Sequence, residues 1–199
     1  IPGGIMNAPF LDIKQDDAYN YGALGAVIAH EMTHGFDIAG SQFDKDGNMV
    51  EWWKPEEYDK FKELTTNTLN RFDKQHIKNT TITTNGNLTI NENIADYGGV
   101  KIAYNALNTL LTTNNIKSLN SPQLNKQEEF KKFFIAFANL WACYKTQEAL
   151  EYSALNDSHS ISYLRVNGTL SLFTPWYNVF NIKPNSILYI APEYRAKIW

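Results

Sequence analysis

Two histidines and a glutamate in the stretch His30-Glu31-Met32-Thr33-His34 have the clearest chemical potential in this chain. Residues four apart on an α-helix leave from nearly the same face, so both imidazoles can point in one direction. Two neutral imidazoles at that spacing can bind one Zn²⁺ at about 2.0–2.1 Å each. Glu31 projects about 100° away from His30 and could take a proton from metal-activated water without binding the metal. A buried helix whose histidines hydrogen-bond to their neighbours would show the same five residues, so the pattern needs support from elsewhere.

A second polar stretch, residues 91–99, offers that support. A hydrolytic zinc site uses three protein ligands and keeps one position open, and Glu92 is a candidate for the third ligand. Asp96 follows one helical turn later and can accept the second ring N–H of a zinc-bound histidine, which fixes the tautomer of the ring. Asp37, three residues after His34, can do the same for the other histidine.

The two motifs, HExxHGFD at 30–37 and ENIADYGG at 92–99, lie 58 residues apart when counted from His34 to Glu92. Together they resemble the neprilysin family (M13) of zinc metallopeptidases, which includes the endothelin-converting enzymes and the bacterial endopeptidase O. The resemblance runs over nearly the whole chain and is that of a C-terminal catalytic part. It implies one Zn²⁺ per chain, held by His30, His34 and Glu92, with Glu31 as the general base.

The same resemblance implies roles for the two aspartates and separates this chain from another zinc class. It makes Asp37 and Asp96 the hydrogen-bond partners of the zinc-bound histidines and counts Asp96 among the catalytic residues. A metzincin needs HExxHxxGxxH, with glycine at position 37 and histidine at position 40. This chain has Asp37 and Gly40 there, so the metzincin pattern fits worse.

A third group of polar residues matches the family's D-x-H-S-x-x-x-x-R-x-x-G segment, from Asp157 to Gly168. The resemblance implies that His159 donates to the oxyanion of the tetrahedral intermediate. It also implies that Arg165 binds the carbonyl of the residue after the cut. The proline that the family carries after His-Ser is Ile161 here.

Three apolar residues correspond to the wall of the family's S1′ pocket, the pocket for the residue after the cut: Phe10, Val27 and Trp141. Phe10 could equally be a plain core residue, and so could the aromatic stripe that includes Trp141. The dipeptide Asn7-Ala8 is not the family's substrate-binding Asn-Ala-aromatic motif, which lies upstream of the Pro-x-Gly-Ile segment. Peptide binding by an added edge strand is therefore not provided by this chain.

Composition bounds the remaining classes of function. The chain has 199 residues, 43% of them hydrophobic, and a net charge of −3, which is typical of a globular domain without a nucleic-acid-binding surface. No apolar run is long enough to cross a membrane. The lone Cys143 excludes an intrachain disulfide and favours a reducing compartment, such as the bacterial cytoplasm, over an extracellular or cell-surface location.

We expect a single mainly α-helical domain over residues 1–199, which the resemblance makes a thermolysin-like (gluzincin) catalytic lobe with little sheet. Helical periodicity predicts helices at about 21–38, 55–75, 91–112 and 126–145, with loops at 78–90 and 113–125 and a last helix after 173. The apolar side of the first helix is predicted to consist of Leu24, Val27, Ile28 and Met32.

The resulting hypothesis is a zinc endopeptidase that cuts oligopeptides on the amino side of bulky hydrophobic residues. The main alternative is a zinc-binding catalytic piece that is inactive without a missing N-terminal part of the same protein. A zinc aminopeptidase would share the metal motif, but its GxMEN motif is not seen here.

Overall fold

The computed structural model of this chain describes residues 1–113 and 125–198. The loop predicted over 113–125 therefore lies almost wholly outside the described residues. The C-terminal Trp199 lies outside them as well.

Helices make up nearly all of the regular structure in these two ranges. The first helix, α1 (Asp17–Asn20), continues through a π-helical turn at Tyr21–Gly25 into α2 (Ala26–Thr33). The others are α3 (Pro55–Phe72), α4 (Gly86–Thr112), α5 (Lys126–Leu140), α6 (Gln147–Asn156), α7 (Ser162–Ser171) and α8 (Thr174–Phe180). Within residues 1–113 and 125–198, β-structure is limited to two isolated bridges, Phe43 to Met49 and His76 to Thr83. The prediction of a mainly α domain is confirmed.

Two predicted helix boundaries are wrong by about five residues, and a capping side chain explains the first of them. Helix α4 begins at Gly86 instead of 91, because the side chain of Asn85 accepts the backbone N–H groups of Asn87 and Leu88. Helix α5 ends at Leu140 instead of 145. A separate helix, α6, follows it and was not predicted, although Thr146 caps it by accepting the N–H of Ala149.

Helices α2 and α4 approach each other closely because both present small residues at their contact. On α2, Ala26, Ala29 and Thr33 are buried. On α4, a Cβ atom placed on Gly99 would lie 2.6 Å from the carbonyl oxygen of Ala26. The expectation that Gly98-Gly99 lets another backbone approach closely is confirmed, and the approaching backbone is that of α2.

The apolar face predicted for α2 is wrong in two of its four residues. Leu24 is buried, but Ile28 is 41% exposed and Met32 is 63% exposed. The glycine surface of α4 accepts only small side chains, so the larger apolar residues of α2 lie on the opposite side of the helix. The face that packs is therefore narrower and less hydrophobic than periodicity alone suggests.

An aromatic cluster fixes α4 against α5 and the start of α8. The ring of Tyr104 stacks on Phe130 and Phe134, with ring centroids 4.3 and 5.7 Å away. Phe173 meets Tyr104 edge-on at 5.3 Å. Phe130, Phe134 and Phe173 are all buried, so most of the aromatic stripe of α5 belongs to the core. None of the described helices is both long and apolar enough to cross a bilayer.

Replacing Gly99 by alanine tests whether the α2–α4 approach needs a residue without a side chain. The gain in helix propensity is about 1 kcal/mol, whereas overpacking a dense contact costs about 1–3 kcal/mol. We expect Gly99→Ala to lower the free energy of unfolding and to weaken zinc binding, since Ala26 and His30 must move. Denaturant unfolding and zinc titration measure the two effects.

Gly25→Ala is the matched control for this prediction. The nearest atom to a Cβ at Gly25 is 3.5 Å away, an ordinary contact, so this variant is expected to be neutral or slightly stabilising. Equal stability of the Gly99→Ala protein and the unmodified protein would contradict the close-contact explanation.

Candidate metal centre and active site

Three side-chain atoms converge between α2 and α4. The Nε2 atoms of His30 and His34 lie 3.0 Å apart. Glu92 Oε2 lies 3.3 Å from His30 Nε2 and 3.5 Å from His34 Nε2. His34 stands where α2 passes into a 3-10 turn (His34–Phe36), so its ring still points along the face that carries His30. The packing of α2 on α4 brings the three predicted ligands together.

Two aspartates determine which nitrogen of each imidazole faces the centre. His30 Nδ1 lies 2.8 Å from Asp96 Oδ1, and His34 Nδ1 lies 2.7 Å from Asp37 Oδ2. A carboxylate can only accept, so both Nδ1 atoms donate and both Nε2 atoms are left facing inward. Asp37 is itself held by the backbone N–H groups of Ala39 and Gly40, at 2.9 and 2.7 Å. Both partners expected from the sequence are thus in contact with the histidines.

The converging atoms fit a zinc ion. Zinc ligands about 2.0–2.1 Å from a tetrahedral centre are about 3.3–3.4 Å from one another, close to the 3.0, 3.3 and 3.5 Å found here. Glu92 Oε2 is buried, and the ring nitrogens of His30, His34 and His159 that lie 3.3, 3.5 and 3.1 Å from it do not meet it in hydrogen-bond geometry. Buried polar atoms are normally hydrogen-bonded, so an oxygen in this state needs a further partner such as a cation. The donor set of two imidazoles and one carboxylate is that of a hydrolytic zinc site.

The charges of the centre are strongly coupled. Burial disfavours the charged form of His30, but the hydrogen bond to Asp96 and the close contact with Glu92 outweigh it and raise the pKa of His30 to about 9. Burial likewise opposes ionisation of Glu92, yet its contacts with His159 and His30 hold the pKa of Glu92 well below its usual range. Without metal, this centre therefore binds a proton at neutral pH where zinc would sit.

Asp96 links the metal centre to Arg165. Its side chain is 2% exposed and accepts from Arg165 Nε at 2.8 Å and Arg165 Nη2 at 2.6 Å, besides His30. Burial opposes the charge of Asp96, but the Arg165 guanidinium keeps the pKa of this carboxyl below its usual value. Arg165 also stacks on Trp141, with its guanidinium carbon 3.7 Å from the ring centroid. Asp96 accepts hydrogen bonds from Nε and Nη2 of Arg165, and Nη1 is left for another partner.

His159 faces the same centre from the segment before α7. Its Nε2 lies 3.1 Å from Glu92 Oε2, and its Nδ1 lies 3.0 Å from Asp157 Oδ1. The close contact with the Glu92 carboxylate is the main cause that raises the pKa of His159. Sequence reasoning did not assign a role to Asp157, which also accepts the backbone N–H of His159 at 2.9 Å. The signal was present as the spacing Asp-x-His.

A cavity of about 250 Å³ opens beside His30 and is lined by the remaining residues that were predicted for the active site. Glu31 and His159 lie on its polar side, with Asp96 and Arg165 behind them. Its apolar walls include the three expected from the sequence, Phe10, Val27 and Trp141, and three that were not singled out, Ile5, Ala26 and Phe137. Glu31 itself is exposed, as a residue that meets substrate must be.

A larger cavity of about 580 Å³ lies elsewhere, between the 41–51 segment and the start of α3. It is lined by Trp53, Tyr58 and their neighbours and contains none of the residues that converge on the metal centre. Size alone would favour this cavity as a binding site. The chemistry favours the smaller one, because it lies beside the converging atoms and is lined by groups with shifted pKa values, among them His30, Asp96 and His159.

Several known proteins are similar to this chain over its whole length. The family model described as peptidase family M13 matches residues 1–196. Neprilysin-11 of Caenorhabditis elegans is 36% identical over 198 residues, which cover 100% of this chain and 23% of that protein. The crystal structure of PEPO from Lactobacillus rhamnosis HN001 has a TM-score of 0.87 at 31% identity, covering 100% of this chain and 29% of that one. The zinc metalloprotease ZMP1 of Mycobacterium tuberculosis, solved with an inhibitor, has a TM-score of 0.90 at 30% identity, covering 100% and 30%.

This chain belongs to peptidase family M13. The resemblance to the neprilysin family that the two motifs suggest is thereby confirmed, and so is the likeness to the bacterial endopeptidase O. As an M13 chain it spans only 23–30% of the length of the three relatives named above. Its mainly helical fold matches the folds of the two M13 structures across its whole length.

The protonation of His30 leads to a prediction about metal binding in this M13 chain. The pKa of His30 is about 9 without metal, and zinc needs the deprotonated Nε2. We expect zinc binding to release about one proton at pH 7 and almost none above pH 10. The apparent zinc affinity should rise about tenfold per pH unit up to pH 9. Calorimetry in two buffers with different ionisation enthalpies counts the protons released.

The control for this titration is Glu92→Val, which removes the carboxylate ligand and should abolish tight zinc binding. Full metal occupancy in that variant would remove Glu92 from the ligand set. Zinc uptake at pH 7 without proton release would show that the proton assigned to His30 is not there.

Proposed function

We propose that this chain carries the active site of a zinc-dependent endopeptidase that hydrolyses oligopeptides. The observation that supports this most is the convergence of His30 Nε2, His34 Nε2 and Glu92 Oε2 beside a cavity lined by Glu31 and His159. Membership of a peptidase family points to the same chemistry.

The proposed mechanism assigns one task to each polar residue at the cavity. When bound by His30, His34 and Glu92, zinc lowers the pKa of water and polarises the scissile carbonyl. Glu31 takes the proton of the attacking water and passes it to the leaving amine. His159 Nε2 donates a hydrogen bond to the oxygen of the tetrahedral intermediate, an interaction that costs about 3–4 kcal/mol when lost.

Arg165 and Asp96 support that chemistry from behind. Asp96 keeps the ring of His30 oriented through Nδ1 and is itself neutralised by Arg165. Because Nε and Nη2 of Arg165 are bound to Asp96, we assign the remaining Nη1 to the carbonyl of the residue after the cut. Asp96 is buried with both oxygens occupied, so it acts through His30 and Arg165 rather than on the substrate.

The apolar part of the cavity supports a preference for cutting on the amino side of bulky hydrophobic residues. Phe10, Val27 and Trp141 line it next to His30 and Glu31. A volume of about 250 Å³ accommodates one large apolar side chain, and burying such a side chain stabilises the complex by about 1.5–3 kcal/mol.

Glu31→Gln tests the general base. The three converging ligand atoms belong to His30, His34 and Glu92, so we expect the Glu31→Gln protein to keep its zinc. We expect its turnover to fall by a factor of about 10²–10⁴. Zinc content by mass spectrometry and hydrolysis of a quenched fluorescent peptide give the two readouts, in the full-length natural protein.

Glu63→Gln is the control, because Glu63 is an exposed surface glutamate on α3 that pairs only with Lys60. It should keep both zinc and turnover. Normal turnover in the Glu31→Gln protein would exclude Glu31 as the general base.

Phe10→Ala tests the specificity cavity. Removing the ring enlarges the pocket, so we expect kcat/KM to fall for leucine or phenylalanine after the cut and to fall less for tryptophan. Differences of about one methylene in such pockets are worth about 10-fold or more, which sets the scale of the shift. Mass-spectrometric mapping of cuts in a peptide mixture measures it.

Phe43→Ala serves as the comparison, since Phe43 is 44% exposed and outside the cavity. An unchanged cleavage pattern in Phe10→Ala would place the substrate side chain in another pocket.

A second candidate function is a zinc-binding catalytic part, with residues 1–199 as one C-terminal domain that is inactive without other residues of the same protein. Two observations favour it. The chain spans only 23–30% of the three relatives, and Ile28, Met32 and Phe36 form an exposed apolar row along the outer side of α2. Peptide turnover by the isolated 199-residue chain, loaded with zinc, would decide against this candidate.

We also propose a reducing compartment, such as a bacterial cytoplasm, for this protein. The support is the single cysteine, Cys143, which cannot form an intrachain disulfide.

A further inference from the structure

The segment that carries His159 has little intrinsic rigidity. Residues 157–161 lie between α6 and α7 without regular structure, and the side chain of His159 is 46% exposed. Asp157 holds the ring, but it belongs to the same segment and is 44% exposed itself. A hydrogen bond within the segment orients the ring relative to the segment, and it does not fix the segment relative to the metal centre.

The next residue, Ser160, supplies a connection to the metal centre. Ser160 is buried, and its Oγ donates to Asn93 Oδ1 at 2.8 Å. Asn93 is 1% exposed and directly follows the ligand Glu92 on α4. The residue after His159 is therefore hydrogen-bonded to the residue after Glu92.

The direction of this hydrogen bond is fixed by the rest of the network. Thr89 Oγ1 donates its one proton to the carbonyl oxygen of Asn85, at 3.3 Å. It can then only accept from Asn93 Nδ2, at 2.9 Å. The amide nitrogen of Asn93 thus points to Thr89 and its oxygen to Ser160, so Ser160 must be the donor. The three side chains are therefore connected by hydrogen bonds of fixed direction.

We propose that Ser160 and Asn93 are positioning residues that hold His159 Nε2 at the metal centre. This inference rests on the proposed function, in which His159 donates to the oxyanion. Ser160 does not line the cavity, so it acts on the reaction through its neighbours and not on the substrate. Small displacements of a catalytic group are costly, with about 10²-fold lost for a shift of 1 Å.

The competing explanation is that the network simply stabilises the fold. A purely structural role predicts lower stability for a Ser160 variant, with no specific effect on the step that uses His159. A double-mutant cycle with His159 separates the two explanations, because a residue that acts through His159 has nothing to act on once the imidazole is gone.

The experiment compares Ser160→Ala, His159→Ala and the double variant in the full-length natural protein loaded with zinc. We expect Ser160→Ala to lower kcat about 10-fold with KM changed less than about twofold, and with unchanged zinc content. A phosphinate peptide, whose oxygen mimics the oxyanion, should bind about 10-fold more weakly. In the His159→Ala background, the same serine substitution should change kcat less than about twofold.

Two further variants complete the design. Ser160→Thr keeps the hydroxyl and should retain most of the activity. Ser171→Ala is the matched control, since Ser171 is a buried, hydrogen-bonded serine on α7 that does not line the cavity. It should cost stability without lowering kcat. If Ser160→Ala does not fold, Ser160→Cys replaces it in the same double-mutant cycle, and the same changes in kcat are expected. Cysteine keeps about the volume of the serine side chain, and its S–H is a weaker hydrogen-bond donor than the serine O–H.

The inference is overturned if Ser160→Ala has full activity, or if it lowers kcat equally in both backgrounds. The proposed function fails in a different way. If His159→Ala turns over peptide as fast as the unmodified protein, His159 has no oxyanion role and the positioning inference falls with it. If His159→Ala is impaired and Ser160→Ala is not, only the inference is lost.

Discussion

The close approach of α2 to α4 is the constraint on which the rest of this structure depends. The two helices can meet this closely because the contact consists of Ala26, Thr33 and the pair Gly98-Gly99. The approach brings imidazole nitrogens from one helix within 3.3–3.5 Å of a carboxylate oxygen from the other. Packing energy thus holds three electron-rich atoms together, an arrangement that is unfavourable until a proton or a cation lies among them.

Asp96 extends this constraint from the metal centre to the substrate cavity. A buried carboxylate is stable only when it is paired, and here His30 and Arg165 share it. Because Arg165 stacks on Trp141, the wall of the cavity, the ion pair and the metal ligand form one connected unit. Changes in the cavity wall can therefore be transmitted to His30 through Arg165 and Asp96.

Much of the candidate site consists of residues that are close together in the sequence, and this part could be predicted without a structure. His30 and His34 share a helix face because of their spacing, and Asp37 is close to His34 for the same reason. Apart from the local contact of Asp157 with His159, the contacts that were missed are long-range ones. Periodicity shows which residues share a face, but it does not show what that face meets, so Ile28 and Met32 were placed on the wrong side of α2.

The errors in the fold have a different origin. The early start of α4 depends on the cap at Asn85, and the start of α6 depends on the cap at Thr146. A single capping side chain does not change the periodic pattern of hydrophobic residues, so periodicity does not show it. The contact of Ser160 with Asn93 joins residues 67 positions apart, and no spacing rule relates them.

The π-helical turn at Tyr21–Gly25 sets the rotational phase of the ligand helix. It holds one more residue per turn than the α-helix that it interrupts, and one residue corresponds to a rotation of about 100°. If the same residues continued as a regular α-helix, α2 would be turned by more than a quarter of a circle relative to α1. The imidazoles would then face away from α4, and Ile28 or Met32 would approach its glycines instead. The wide turn therefore acts as an angular offset, which decides that the imidazoles of this short helix, and not its large apolar side chains, face α4.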